Sequence, residues 1–227
     1  MSSADALTES RDRLLWGVRK FRREIFPHRQ SVYEQVVREG QQPHTLFITC
    51  ADSRIDPELL TQSGPGEIFV TRNIGNLVPA YGEMVGGVSA VIEYSVIALE
   101  VSQVVICGHT DCGAMKALLH PEKVSCMPTV KTWLRNAEAA SSIVNAQYGA
   151  EGDEETKLTA LIEQNVVLQM NHARTHPSVA GRLAKRAFAI TGWVYDIANG
   201  TVRVYDEDTA EFRMVDDKPE QGKPTCA

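Results

Sequence analysis

Apolar runs of strand length alternate with amphipathic stretches of helical length through the middle of the chain. Residues 45–50, 67–71 and 104–107 are β-prone runs, and each is bounded by glycine, proline or polar residues. Between the second and third runs, apolar residues recur at helical spacing over residues 88–99. This alternation predicts βαβ units, and therefore an α/β fold with a mainly parallel central β-sheet flanked by helices.

Helical patterns also occur on both sides of this region. We expect helices near residues 129–147 and 156–173, and a further one starting at Pro177, since proline favours the first helical turn. Residues 12–26 form an amphipathic helix with a basic face. A membrane surface can bind such a helix, but no second anchor signal accompanies it. We therefore predict that the helices of residues 1–40 pack on this chain or on a partner subunit.

The C-terminal part of the chain predicts a hairpin followed by a tail. Residues 188–196 and 201–206 are β-prone and flank Asn199-Gly200, which is a strong hairpin-turn signal. Residues 206–223 contain seven acidic and three basic residues, and we expect residues 207–227 to form a loose, solvated tail.

The composition is that of a globular protein. The 227 residues are 43% hydrophobic and 23% charged, which suits one catalytic domain over residues 1–227. The formal net charge of -6 argues against nucleic-acid binding, because phosphate binding needs a basic face. Neither a leader pattern nor an apolar run of about 18 residues occurs, so we expect a cytoplasmic protein without membrane partners. A reducing compartment leaves the five cysteines free for metal binding or catalysis: Cys50, Cys107, Cys112, Cys126 and Cys226.

Three candidate metal ligands follow two of the predicted strands. Cys50 ends the first apolar run, and His109 and Cys112 follow the third. The carboxyl ends of parallel strands share one sheet edge, where ligands of open α/β sheets bind. Two thiolates and one imidazole suit Zn²⁺, and three ligands with an open fourth position are typical of catalytic zinc. A four-ligand structural zinc site is less consistent with the sequence, because Cys107 lies inside its strand and no Cys-x-x-Cys occurs.

A carboxylate and a guanidinium lie close to the first candidate ligand. Asp52 and Arg54 follow Cys50 by two and four residues. This pair could be an ordinary ion pair of a turn. Beside a metal ligand, however, the carboxylate could also bind the metal or accept a hydrogen bond from metal-bound water. Bidentate pairing with Arg54 favours the acceptor role.

Five segments together resemble the β-class carbonic anhydrases. The resemblance is specific and covers most of residues 20–206. It is closest to the bacterial enzymes associated with cyanate metabolism and to the plant-type branch. The segments are Cys50-Ala51-Asp52-Ser53-Arg54, Pro65-Gly66-Glu67-Ile68-Phe69-Val70-Thr71-Arg72-Asn73, Gly86-Gly87-Val88-Ser89-Ala90-Val91-Ile92-Glu93-Tyr94, Cys107-Gly108-His109-Thr110-Asp111-Cys112-Gly113 and Gly192-Trp193-Val194-Tyr195-Asp196.

The resemblance implies a zinc lyase that reversibly hydrates carbon dioxide to bicarbonate and a proton. It implies one zinc per chain, held by Cys50, His109 and Cys112, with zinc-bound hydroxide attacking CO₂. Asp52 and Arg54 match the catalytic pair of the family. Asp52 would accept the hydrogen bond of the hydroxide. Because two thiolates donate more negative charge than imidazoles, we expect the activity to rise toward alkaline pH.

The resemblance also implies a substrate pocket and an oligomer. The residues expected to bind substrate are Gln41, Phe69, Ile74, Tyr94 and Gly113. In the family, part of the pocket wall comes from a neighbouring subunit. We therefore expect a homodimer or a higher multiple of dimers, with the helices of residues 1–40 packing on the partner.

Two positions depart from the family pattern. The bicarbonate-regulated branch uses Trp, Arg and Tyr at positions that match Phe47, Arg72 and Tyr195, so Phe47 argues against that regulatory site. Some plant-type members have a histidine, proposed as a proton shuttle, where this chain has Ala98. That proton route is therefore absent here.

Other functions remain as alternatives or fail on spacing. Hydrolysis of carbonyl sulfide or carbon disulfide uses the same zinc motif, and a zinc-binding interaction module without catalysis also stays open. A cysteine phosphatase needs Cys-x5-Arg, whereas Cys50 and Arg54 are separated by three residues. A nucleotide-binding protein would need Gly-x-Gly-x-x-Gly or a P-loop, and the sequence has neither.

Overall fold

The computed structural model describes residues 3–83, 86–149, 152–186 and 188–215. The chain divides into two compact units, Met1–Gln42 and Pro43–Ala227. Every predicted site residue except Gln41 belongs to the second unit. That the whole chain works as one catalytic domain stays a prediction.

The first unit is helical. Helix α1 (Ser3–Lys20) continues through a π-helical turn (Phe21–Ile25) into α2 (Phe26–Glu39). The helix predicted for residues 12–26 is therefore confirmed. The π-helical turn adds a residue per turn, and it brings Phe21 within ring-contact distance of Phe26 and Tyr33, with centroids 5.9 and 6.4 Å apart. The packing of these helices on a partner subunit stays a prediction.

The second unit contains a six-stranded sheet of order β2-β1-β3-β4-β5-β6. Strands β1 to β4 run parallel, and β5 and β6 are antiparallel to their neighbours. This confirms the predicted α/β class with a mainly parallel sheet. The strands are β1 (Thr45–Cys50), β2 (Ile68–Asn73), β3 (Gln103–His109), β4 (Ala189–Asp196), β5 (Thr201–Asp206) and β6 (Glu211–Met214).

The sixth strand corrects the prediction of a loose tail over residues 207–227. Glu211–Met214 pairs with β5, and the ring of Phe212 lies 5.1 Å from that of Tyr205. Main-chain hydrogen bonds and this aromatic contact hold the segment despite its acidic composition, so the prediction is wrong for residues 211–214. Residues 216–227, including Cys226, lie outside the described part of the chain.

Seven helices are described in the second unit, within residues 43–83, 86–149, 152–186 and 188–215. They are α3 (Pro57–Thr61), α4 (Gly87–Ile97), α5 (Gly113–Leu119), α6 (Pro128–Leu134), α7 (Glu138–Tyr148), α8 (Glu154–Arg174) and α9 (Pro177–Ala184). The single helix predicted near 129–147 is two helices, α6 and α7, joined by a 3₁₀ turn at Arg135–Ala137. In this turn Asn136 is buried, and its carbonyl oxygen accepts from Gln169 Nε2 at 3.0 Å.

Helix α8 packs closely on β3 and β4. A Cβ atom at Gly108 would lie 2.7 Å from Val166, and one at Gly192 would lie 2.5 Å from Met170 Sδ. Both positions therefore need glycine so that the helix can approach the sheet. The buried core between them includes Ile106. No helix in the described residues is long and apolar enough to span a membrane.

Candidate metal centre

The carboxyl ends of β1 and β3 bring three potential metal ligands together. Cys50 is the last residue of β1, His109 is the last residue of β3, and Cys112 caps the start of α5. All three side chains are buried, and their ligand atoms lie within 4.8 Å of one another. The structure thus brings together the three residues that the sequence predicts as ligands.

The orientation of His109 leaves one ring nitrogen available. Its Nδ1–H donates to the carbonyl oxygen of Thr110, at 2.8 Å, which makes Nε2 an acceptor. That Nε2 is buried and has no hydrogen-bond partner. A buried polar atom without a partner is unfavourable by about 1–3 kcal/mol, and coordination of a metal ion would satisfy it. A hydrogen bond at the opposite nitrogen is also the usual support of a metal-binding histidine.

The pKa values of the two neighbouring thiols are shifted in opposite directions. A hydrogen bond from Cys112, assisted by the N–H groups of Gly75 and Asp52, lowers the pKa of Cys50 to about 4. The neighbouring Cys50 thiolate and burial raise the pKa of Cys112 well above its usual value. Cys50 is therefore the more acidic of the two thiols, and it lies beside the ring of His109. This sulfur and nitrogen donor set fits Zn²⁺, which would replace the remaining thiol proton.

Gly75 supports this cluster from the loop after β2. Its N–H donates to Cys50 Sγ at 3.4 Å. Its φ of +80° is unfavourable for a residue with a side chain, and a Cβ atom there would lie 3.0 Å from Ala114 Cβ and 3.3 Å from Met115 Cε. Glycine is therefore required for the backbone to approach the thiolate. The carbonyl oxygen of Gly75 accepts from the buried Asn165 Nδ2 at 3.1 Å.

The predicted carboxylate–guanidinium pair is formed. Arg54 Nε donates to Asp52 Oδ1 at 2.9 Å, and Nη2 donates to Oδ2 at 2.7 Å. The bidentate bonds of Arg54, together with a hydrogen bond from its backbone N–H, keep the pKa of Asp52 far below its usual range. Asp52 is therefore ionised at neutral pH, and it follows the ligand Cys50 by two residues. The same pairing raises the pKa of Arg54.

Two supporting residues were not recognised from the sequence. Arg72 donates to the carbonyl oxygens of Cys50, at 3.1 Å, and Asp52, at 2.5 Å, and so fixes the loop after β1. Asp111 accepts from Arg54 Nη1 at 2.7 Å and is also paired with Lys116. The position of Asp111 between two ligands was visible in the sequence, but its partner in a loop 57 residues away was not.

The five residues predicted to bind substrate lie in different elements of the chain. The rings of Phe69 and Tyr94 lie 6.1 Å apart, and Ile74 is 43% exposed. Gly113 is the first residue of α5, and a Cβ atom there would have open space around it. Gln41 belongs to the unit Met1–Gln42. The roles of all five in substrate binding stay predictions.

Phe47 occupies the position that the resemblance matches to a regulatory tryptophan. It is 1% exposed and packs edge-to-face on Trp193, with ring centroids 5.7 Å apart. Phe47 therefore has the contacts of a core residue.

Comparison with known proteins points to one family. The family model for carbonic anhydrase matches residues 45–202. The chain is 43% identical over 204 residues to a carbonic anhydrase of Pseudomonas aeruginosa, covering 90% of this chain and 91% of that one. The solved structure of the β-carbonic anhydrase CcaA is similar with a TM-score of 0.88 and 37% identity, covering 92% and 94% of the two chains. A structure described among two tetrameric β-carbonic anhydrases of Sordaria macrospora has a TM-score of 0.69 and 25% identity, covering 89% and 97%.

Proposed function

Because the chain belongs to the β-carbonic anhydrases, whose general reaction is the hydration of carbon dioxide, we propose that one zinc ion held by Cys50, His109 and Cys112 forms its catalytic centre. The observation that carries this proposal is the buried Nε2 of His109, which has no hydrogen-bond partner. The ligand atoms of His109, Cys50 and Cys112 lie within 4.8 Å of one another. When bound there, zinc supplies a Lewis acid that lowers the pKa of a coordinated water and provides the nucleophile for CO₂.

Asp52 and Arg54 control the reacting position beside the ligands. Asp52 accepts a hydrogen bond at that position and so orients the lone pair that attacks carbon dioxide. Its low pKa supports this role, because an ionised carboxylate is a hydrogen-bond acceptor only. Arg54 donates hydrogen bonds to both carboxylate oxygens of Asp52, and this pairing keeps Asp52 from becoming a fourth metal ligand.

The apolar and small residues near the site bind the substrate and product. Phe69, Ile74 and Tyr94 provide an apolar wall suited to CO₂, which has no net dipole. Gly113 helps to hold bicarbonate, and Gln41 is assigned to substrate binding by the family resemblance alone. Bicarbonate and one proton then leave to the solvent.

The enzyme works as a homodimer or a higher multiple of dimers. Supporting this, apolar side chains of α1 and of the π-helical turn are exposed: Leu14, Trp16, Val18, Phe21 and Ile25. Burying such a surface in a partner subunit is favourable. The two β-carbonic anhydrases of Sordaria macrospora are tetrameric, which supports a multiple of dimers. The free state of the described cysteines accords with a cytoplasmic enzyme.

The test is stopped-flow CO₂ hydration together with zinc analysis. Wild-type protein should contain about one zinc per chain and hydrate CO₂. Cys50→Ser should lose both properties, whereas the control Cys126→Ser, at an exposed cysteine outside the cluster, should lose neither. A wild-type protein that holds zinc and hydrolyses carbonyl sulfide without hydrating CO₂ would replace the proposal with the sulfur-analogue hydrolase.

A further inference from the structure

The guanidinium of Arg54 lies between two carboxylates. One side of the group faces Asp52, through Nε at 2.9 Å and Nη2 at 2.7 Å. The other side faces Asp111, whose Oδ2 accepts from Nη1 at 2.7 Å and whose carbonyl oxygen lies 3.4 Å from Nη2. All three nitrogens of the guanidinium therefore have acceptors, and the acceptors belong to two separate loops.

These loops adjoin all three candidate metal ligands. Asp52 follows Cys50 in the loop between β1 and α3, and Asp111 lies between His109 and Cys112 in the loop between β3 and α5. The sheet fixes where β1 and β3 end, but the loops beyond the strands need separate links. Arg54 supplies one such link through side-chain bonds on both of its sides.

The backbone and charge of Asp111 suit it to this task. Its φ of +61° is left-handed, a conformation that aspartate and asparagine tolerate better than most residues. Its two oxygens are divided between two cations, Oδ2 with Arg54 and Oδ1 with Lys116. Two carboxylates and two cations thus form a neutral group of four. Isolated exposed ion pairs contribute little, but bidentate pairs joined into a network are the exception.

We propose that Asp111 is a positioning residue that holds Arg54 against Asp52 and thereby keeps Asp52 available as an acceptor at the metal centre. This inference rests on the proposed function. Arg54 is 45% exposed along its side chain, so without Asp111 its guanidinium can swing into solvent. Asp52 would then lose its bidentate partner for part of the time and could turn toward the metal.

The variant that tests this is Asp111→Asn in the zinc-loaded, full-length protein. Asparagine retains the shape and tolerates the left-handed backbone, but it removes the charge that attracts Arg54. We expect kcat for CO₂ hydration to fall roughly tenfold to a hundredfold, as for the loss of a charge-assisted hydrogen bond, with KM little changed. Asp208→Asn, which removes one carboxylate from an exposed turn, is the matched control and should retain wild-type kinetics.

A double variant separates positioning from a general structural effect. If Asp111 acts through Arg54, adding Asp111→Asn to Arg54→Ala should lower kcat no further. Replacement of zinc by Co²⁺ provides a second readout, because its visible absorption reports the metal ligands. The Co²⁺ spectrum of Asp111→Asn should shift in the same direction as that of Arg54→Ala. If the fold-losses in kcat of the two single variants multiply in the double variant, the proposal is overturned. An unchanged Co²⁺ spectrum in Asp111→Asn would also overturn it.

A further test uses wild-type protein and does not depend on whether the Asp111→Asn variant folds. When carboxylates hold both sides of a guanidinium, its rotation is slow, so NMR should resolve separate Nη–H signals for Arg54, assigned by their loss in Arg54→Ala. Averaged Arg54 signals in the zinc-loaded protein would contradict the proposal. A wild-type protein without CO₂ hydration would instead contradict the proposed function, whatever the state of Arg54.

Discussion

Arg54 donates to both carboxylate oxygens of Asp52, through Nε at 2.9 Å and Nη2 at 2.7 Å. This pairing leaves Asp52 ionised beside three buried ligand atoms that a divalent cation would bring together. The structure therefore separates two tasks at one site: Cys50, His109 and Cys112 hold the metal, and Asp52 orients what reacts there. The following predictions test that division.

Arg54→Ala should lower CO₂ hydration by roughly a hundredfold while the protein keeps its zinc. The reason is that Asp52 loses both hydrogen bonds and is free to bind the metal. Stopped-flow kinetics and zinc analysis of the same sample measure the two effects. Arg213→Ala, which breaks an exposed ion pair with Asp206, is the control. Loss of zinc or of folded protein in Arg54→Ala would show that Arg54 is structural instead.

The hydration activity should rise between about pH 6.5 and about pH 9. Two thiolates donate more negative charge to zinc than imidazoles do, so a coordinated water ionises at higher pH than in a three-histidine site, where its pKa is about 7. Asp52 does not shape this profile, because Arg54 keeps its pKa far below the range and it stays ionised throughout. A flat profile of kcat/KM at saturating buffer would contradict this account.

Gly75→Ala should destabilise the protein by about 1–3 kcal/mol and weaken its binding of zinc. The new methyl group would meet Ala114 at 3.0 Å on a backbone with φ of +80°, and the N–H bond to Cys50 Sγ would be displaced. Urea unfolding and zinc release to a chelator measure these effects. Gly181→Ala is the matched control, since a Cβ atom there meets nothing within 4 Å. Equal behaviour of the two variants would disprove the role assigned to Gly75.

The strand and helix order was predictable because each element has its own hydrophobic pattern. β1 is continuous in the sequence as an apolar run, and the structure places it at Thr45–Cys50, between β2 and β3. β6 was not predictable in this way, because its four residues, Glu211–Met214, are too few to show a hydrophobic pattern. The strand is held by main-chain pairing with β5. The break between α6 and α7 also has no local signal, since it depends on Asn136 meeting Gln169 of α8.

The ligand cluster was predictable from the sequence for a topological reason. Parallel strands end at one edge, so residues that end β1 and β3 must lie near each other. The contacts of Arg72 with Cys50 and of Arg54 with Asp111 were not predictable. Each contact is made by a long side chain and joins residues that are 22 or 57 positions apart in the sequence. No periodic pattern in the sequence indicates such a contact.

Protein stability should decrease as the pH falls below about 6.5, in part through His176. Burial lowers the pKa of His176, whose Nε2–H donates to the carbonyl oxygen of Pro79 at 3.0 Å. Below the usual histidine pKa, near 6.5, the unfolded chain binds a proton that the native protein does not bind. The contribution of His176 is therefore complete above that pH and is lost below it.

His176→Asn should reduce this dependence, because asparagine can donate a hydrogen bond but does not titrate. Urea unfolding at about pH 5.5 and about pH 7.5 measures the difference for wild type and variant. His28→Asn, at an exposed histidine of α2, is the control and should follow wild type. An identical pH dependence in wild type and His176→Asn would contradict the assignment to His176.

Titration of metal-free protein with zinc tests the central claim most directly, with CO₂ hydration followed by stopped flow at each addition. If Cys50, His109 and Cys112 hold the catalytic zinc, activity should rise linearly and stop rising at about one equivalent per chain. Activity in the metal-free protein, or one tightly bound zinc per chain without CO₂ hydration at any pH between about 6.5 and 9, would contradict the account.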